Sequence, residues 1–194
     1  MSNTLPSTIF AALKFSLLLT GESHDFTKRI PRKSLGLEKE KLSHIHFYLH
    51  DIVSGRNPTS VLVASAPKTN TSAAPFGEIL VMDDALNVGP EPSSEQVGRA
   101  QGIYAIDSLG EPALLMAFSC VFTEGKYNGS TISILGRNAV FSDVREMPVD
   151  DTSPVVGGSG VFRFARGYAE ARTHAFDLNS GNAVVEYDVY VFHY

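Results

Sequence analysis

The chain has 194 residues, of which 43% are hydrophobic and 19% charged, with a formal net charge of -5. That length suits one domain with a core of its own, and the composition excludes a disordered segment. The acidic balance argues against a nucleic-acid partner, no basic run marks a membrane surface, and the single cysteine, Cys120, excludes an intrachain disulfide and a cysteine-based zinc site. From the N-terminus, Ile9 to Leu19 is apolar but interrupted by Lys14. It is too short to span a bilayer and reads as a leader derived from a signal peptide. Residues 20–43 are polar and basic and read as an extended lead-in, so residues 1–42 are expected outside the core and 43–194 form the domain.

From His44 onward the chain is a series of short strand-like runs. Turn-forming clusters punctuate them: Ser54-Gly55-Arg56-Asn57-Pro58, Val88-Gly89-Pro90-Glu91-Pro92, Tyr127-Asn128-Gly129 and Asn179-Ser180-Gly181-Asn182. No segment keeps a helical period over three turns, which argues for an all-β barrel or sandwich. Asn128-Gly129 and Gly181-Asn182 suit tight hairpins. Asn70 and Asn128 open glycosylation triplets. Val161 to Phe176 reads as one long strand, with Arg166, Glu170 and Phe176 on one parity. In the last run, Ala183, Val185, Tyr187, Val189 and Val191 share one face. Glu186, Asp188, Tyr190 and Phe192 share the other. The apolar content of that second face hints at a subunit interface.

Several polar side chains fall inside apolar runs. Asp51 shares a strand face with Ile45, Phe47 and Leu49. A carboxylate there is costly unless paired, and burial raises its pKa toward the range of a general acid. The alternative is a strand-end Asp that caps the turn before Ser54-Gly55. Tyr104 follows Ala100 and Gly102 on its own face, and small residues there are expected to leave cavity space beside the phenol. Asp83 and Asp84 point to opposite sides of a strand, so at most one faces a pocket. His44, His46 and His50 share a strand face, but no carboxylate or second histidine sits at matching spacing, so no metal is expected. Gly157-Gly158-Ser159-Gly160 is neither a phosphate loop nor a nucleophile elbow.

Three segments in order, Phe47-Tyr48-Leu49-His50-Asp51-Ile52, Val97 to Tyr104 and Arg145-Glu146-Met147-Pro148-Val149, resemble the plant dirigent proteins. The likeness runs from about Phe47 to Tyr194. The tail Glu186 to Tyr194, the stretch Leu135 to Asn138 and the absence of a cysteine pair resemble the subgroup that contains pterocarpan synthases. The resemblance implies an eight-stranded antiparallel barrel, a homotrimer, secretion to the apoplast and no cofactor. It implies Asp51 as the acid, with Tyr104 and Arg145 holding or deprotonating a phenol. Phe47, Leu49, Asp84, Ile106, Asn138, Glu170 and Phe176 are the implied substrate contacts. Ile106 stands where lignan-forming members carry a second tyrosine, and Asn138 where they carry an acid. The implied activity is a hydro-lyase that dehydrates an isoflavanol through a quinone methide to a pterocarpan. The alternatives are non-catalytic guidance of phenoxy radicals made by a partner oxidase, or a carrier of phenolics. Asp150-Asp151-Thr152-Ser153-Pro154 departs from the family pattern and reads as a surface-loop insertion.

Overall fold

The computed structural model describes residues 27–37, 39–66, 75–139 and 152–194. The chain divides into two compact units, Met1–Pro31 and Arg32–Tyr194. Of the first, residues 27–31 are described, and they are exposed and without regular structure. The second holds nine strands among the described residues: β1 (Lys41–Asp51), β2 (Ser60–Ala64), β3 (Ile79–Asn87), β4 (Gln96–Ile106), β5 (Leu114–Phe122), β6 (Thr131–Asn138), β7 (Thr152–Ser159), β8 (Arg166–Phe176) and β9 (Ala183–His193).

Eight of these strands close into an antiparallel barrel in the order β1-β9-β8-β7-β6-β5-β4-β3, with β3 pairing back onto β1. Closure leaves no long sheet edge for another chain to pair with. The seam between β1 and β3 is short, Tyr48 to His50 against Asn87 to Ala85. The rest of β3 pairs with β2, Ser60 opposite Met82 and Val61 opposite Val81. β1 therefore ends, and β2 begins, along the same neighbour. That handover draws Asp51, Ser60 and Asp84 toward one another.

Period-two alternation fills one end of the barrel with packed side chains. Phe118, Phe122, Ile132, Ile134, Phe162, Val189 and Val191 are buried there, and Phe47 stacks on Tyr187 at 5.5 Å between ring centroids. Each fully buried Phe or Ile contributes about 2 kcal/mol relative to exposure. Cys120 lies in this core, and burial pushes its thiol pKa up, so it stays an inert thiol. The other end is not filled and encloses a cavity.

Three local expectations change. Thr152, Ser153 and Pro154 are strand residues paired with Glu170, Ala169 and Tyr168, not an inserted loop. Ser153 is buried against Gly136, where a Cβ would come within 2.7 Å of the serine hydroxyl. Asp150 and Asp151 lie outside the described residues. Val161 to Phe176 is not one strand, because a short 3-10 turn, Gly160–Phe162, and Phe164 at φ 63° precede β8. Ala100 and Gly102 do not open space beside Tyr104. A Cβ on Gly102 would lie 2.3 Å from the Ala117 carbonyl oxygen, so glycine there lets β5 approach closely, and Ala100 is core.

Candidate functional site

At the unfilled end of the barrel is a cavity of about 270 Å³. Its walls are mostly apolar, with Leu49, Met82, Ile106, Met116, Phe176 and Val185 among them, and its polar groups are few. A small set of polar atoms in an apolar concavity is the general form of a small-molecule site.

Those polar groups converge. The Tyr104 hydroxyl donates to Asp51 Oδ2 at 3.1 Å. The Ser60 hydroxyl donates to Asp84, 3.3 Å from Oδ1 and 3.4 Å from Oδ2. Asp51 Oδ1 is buried without a hydrogen-bond partner. Burial raises the Asp51 pKa, against the hydroxyls of Ser60 and Tyr104, which lower it. Asp84 is fully buried, and desolvation, with a further push from the Asp51 charge, raises it to about 7. Tyr104 is pushed up by desolvation and by Asp51, so it stays a neutral donor. Two carboxyls with raised pKa values, side by side in an apolar chamber, hold a proton near neutral pH. The Asp51 carboxyl thus lines the cavity with one oxygen held by Tyr104 and the other buried without a partner.

Ordinary strand geometry accounts for these positions. Asp51 is the last residue of β1 and faces inward with Phe47 and Leu49. Asp84 is the inward member of its pair. Asp83 points outward, where Arg99 Nε donates to its Oδ1 at 2.5 Å. A bulge in β8 between Thr173 and Ala175, opposite Val185 and Val184, shifts the parity of the last residues of that strand. Phe176 therefore faces the cavity, whereas Glu170, predicted on the same face, is exposed on the outer wall opposite Asp188.

Of the predicted site residues, the fold brings together Asp51, Tyr104, Leu49, Asp84, Ile106, Asn138 and Phe176 around one cavity. Phe47 is fully buried behind Tyr187 and supports the floor. Glu170 lies elsewhere. Arg145 and Asn70 lie outside the described residues. Asn128 is exposed at the β5–β6 hairpin, where Gly129 takes φ 78°. Ser60, Tyr187 and Thr173 were not singled out from the sequence. Ser60 opens β2 inside an unremarkable Thr-Ser-Val run, and only the β1-to-β2 handover gives it a role.

The histidines divide. His50 is buried, and its ring Nε2 has no partner. His44 and His46 lie on the outer wall, His44 Nε2 at 2.6 Å from Asp188 Oδ1 and His46 Nε2 at 3.0 Å from Glu186 Oε1. Carboxylates at matching positions thus do exist, supplied by β9 through register rather than by nearby sequence. Among the described residues, potential metal donors converge at His46, Glu186 and Asp188.

Known proteins share this chain's sequence and its barrel fold. The model of the dirigent-like protein family matches residues 42–192, and the chain belongs to that family. Dirigent protein 21 of Arabidopsis thaliana is 52% identical over 185 residues, which cover 95% of this chain and 94% of that protein. Pterocarpan synthase 1 of Glycine max is 46% identical over 189 residues, covering 97% and 98% of the two chains. The solved structure of the pterocarpan synthase dirigent protein GePTS1 superposes with a TM-score of 0.72 at 49% identity, covering 81% of this chain and 87% of that one.

Proposed function

We propose that this dirigent protein is a stereoselective hydro-lyase that converts an isoflavanol to a pterocarpan through a quinone methide. The observation that carries the reading is the Asp51 carboxyl with its raised pKa, held by Tyr104 at 3.1 Å inside an apolar cavity. Similarity to pterocarpan synthases across nearly the whole chain supports the substrate class.

In this mechanism Asp51 gives a proton to the departing hydroxyl, which leaves as water when its bond to carbon breaks, and the ring phenol conjugated with that carbon releases its proton, leaving a neutral quinone methide. The attacking phenol loses its proton to the Asp51–Asp84 pair as its oxygen forms the new bond to that carbon, and the quinone methide oxygen takes back a proton to become a phenol again. Tyr104 stays neutral and orients Asp51 and the substrate hydroxyl. The apolar walls keep water from the quinone methide and fix the face that is attacked. No cofactor enters this scheme.

The test is incubation with a panel of isoflavanols, with and without an oxidase, followed by chiral chromatography. Product formed without an oxidase supports the hydro-lyase. Enantiomeric excess that appears only when an oxidase supplies radicals would replace it with a guide of phenoxy coupling. Ligand binding without either product would leave a carrier.

The homotrimer and the secreted, glycosylated state belong to the same proposal. For assembly, the outer wall offers a row across five strands, Val61–Val81–Ile103–Ala117–Leu135, each opposite the next in register. Val61, Val81, Ile103 and Leu135 are exposed. This row is more apolar than the outer face of β9, which carries Glu186 and Asp188. Light scattering at three times the chain mass supports assembly, and a monomer at micromolar concentration would count against it.

A further inference from the structure

We propose that the outer wall of the barrel holds a binding site for a divalent transition-metal ion, formed by His46, Glu186 and Asp188 with His44 beside them. The proposal is independent of the reaction in the cavity, because these side chains point away from it.

Donor geometry is the first argument. One atom each from His46, Glu186 and Asp188 lies within 4.8 Å of the others. Imidazole and carboxylate donors bind zinc at about 2.0–2.2 Å in a tetrahedron, so neighbouring donors stand about 3.4 Å apart. Small side-chain rotations suffice to close the set. One imidazole with two carboxylates suits Zn²⁺, Co²⁺ or Mn²⁺. His44 Nε2, at 2.6 Å from Asp188 Oδ1, either orients that carboxylate or joins the ion as a fourth donor.

The scaffold is the second argument. β1 and β9 pair without a break from Lys41–His193 to Asp51–Ala183, with His46 opposite Asp188 and Tyr48 opposite Glu186. The donors stand on two central, hydrogen-bonded strands rather than on loops. The outer groups are also oriented in a second layer. The Tyr48 hydroxyl donates to Glu186 Oε1 at 3.1 Å, Arg172 donates to Glu186 Oε2, and His44 stacks on Tyr190 at 4.7 Å. Glu186 is only 12% exposed and His46 36%, so the donors are partly shielded yet reachable from solvent.

Arg172 is the resident cation of this cluster, and it gives the proposal a distinctive sign. A metal ion at Glu186 works against the guanidinium charge beside it. Removing that charge must therefore tighten metal binding, whereas a histidine-only surface contact would be nearly indifferent. A bound ion would also tie the first strand of the barrel to the last, so it should raise thermal stability by mass action.

The experiment uses the full chain, stripped with a chelator and then titrated with ZnCl₂ by calorimetry and with CoCl₂ by absorption. The expected result is one ion per chain, a raised melting temperature, loss of binding in His46→Ala, and several-fold tighter binding in Arg172→Ala. Glu186→Gln keeps the side-chain shape and is expected to weaken uptake, with circular dichroism confirming that each variant is folded. Absence of stoichiometric uptake by the wild type would overturn the proposal. So would uptake that survives His46→Ala, which is an adventitious ion only. An unchanged affinity in Arg172→Ala would remove Glu186 from the site and overturn it as built.

Discussion

The two walls of the barrel treat carboxylates in opposite ways. Inside, Asp51 and Asp84 stand among apolar side chains, their partners are hydroxyls, and burial drives both pKa values up, Asp84 to about 7. Outside, Glu186 meets Arg172, His46 and Tyr48, and its pKa falls to about 2. Residues of the same chemistry on neighbouring strands thus become a proton store on one side and fixed anions on the other. The inward carboxyls lose hydration and gain no cation, whereas the outward carboxylate gains a cation and keeps water nearby. Strand parity decides which of these fates Asp51, Asp84 and Glu186 each meet.

The largest stability effect that sharpens this contrast is at Asp84. Its pKa is near 3.8 when exposed and about 7 when folded, so the folded state favours the proton. The stability contributed by that preference is fully present below pH 3.8 and is lost as pH rises to 7. A shift of about three units corresponds to at most ~4 kcal/mol. Asp84→Asn, which carries no charge, should therefore gain stability relative to the wild type between pH 4 and pH 7, with the difference levelling off above. Chemical denaturation at several pH values measures it. A constant difference across that range would mean that Asp84 is not held protonated.

A smaller effect is expected at Tyr104. Tyr104→Phe removes one hydrogen bond to Asp51 and leaves the ring in the cavity wall, so turnover should fall by about tenfold, the scale of one such bond. A steady-state assay that finds no change would detach the phenol from Asp51's role. On the outer wall, Arg172→Ala should change least. Its ion pair with Glu186 is exposed on the arginine side, so stability should drop by no more than about 1 kcal/mol and turnover should not change. A thermal melt with a parallel activity assay checks both, and a large loss would mean that the two walls are coupled.

Much of the inner wall was legible in the sequence, because alternation fixes which residues share a face. Asp51 with Phe47 and Leu49, and one inward member of Asp83-Asp84, follow from parity alone. The barrel and the role of Tyr104 came through the family resemblance. Parity fails where a strand bulges: Phe176 faces the cavity only because β8 slips between Thr173 and Ala175, and Glu170 stays outside. The outer cluster depends on the register of β1 against β9, which joins His46 to Asp188 from opposite ends of the chain. No local pattern encodes that pairing. Ser60 acquires its place from a handover between two strands, and Ser153 enters a strand because Gly136 leaves room for it. These are tertiary facts about residues with ordinary turn or strand propensities.

The measurement that tests the central claim most directly is turnover of an isoflavanol by Asp51→Asn, with enantiomeric excess and ligand affinity recorded in the same samples. The variant keeps the side chain's shape and its contact with Tyr104 but has no proton to give. The account predicts a fall in rate of about 100-fold or more, the scale of losing a positioned acid, with affinity near normal. Wild-type turnover by Asp51→Asn would contradict it and remove Asp51 from the chemistry.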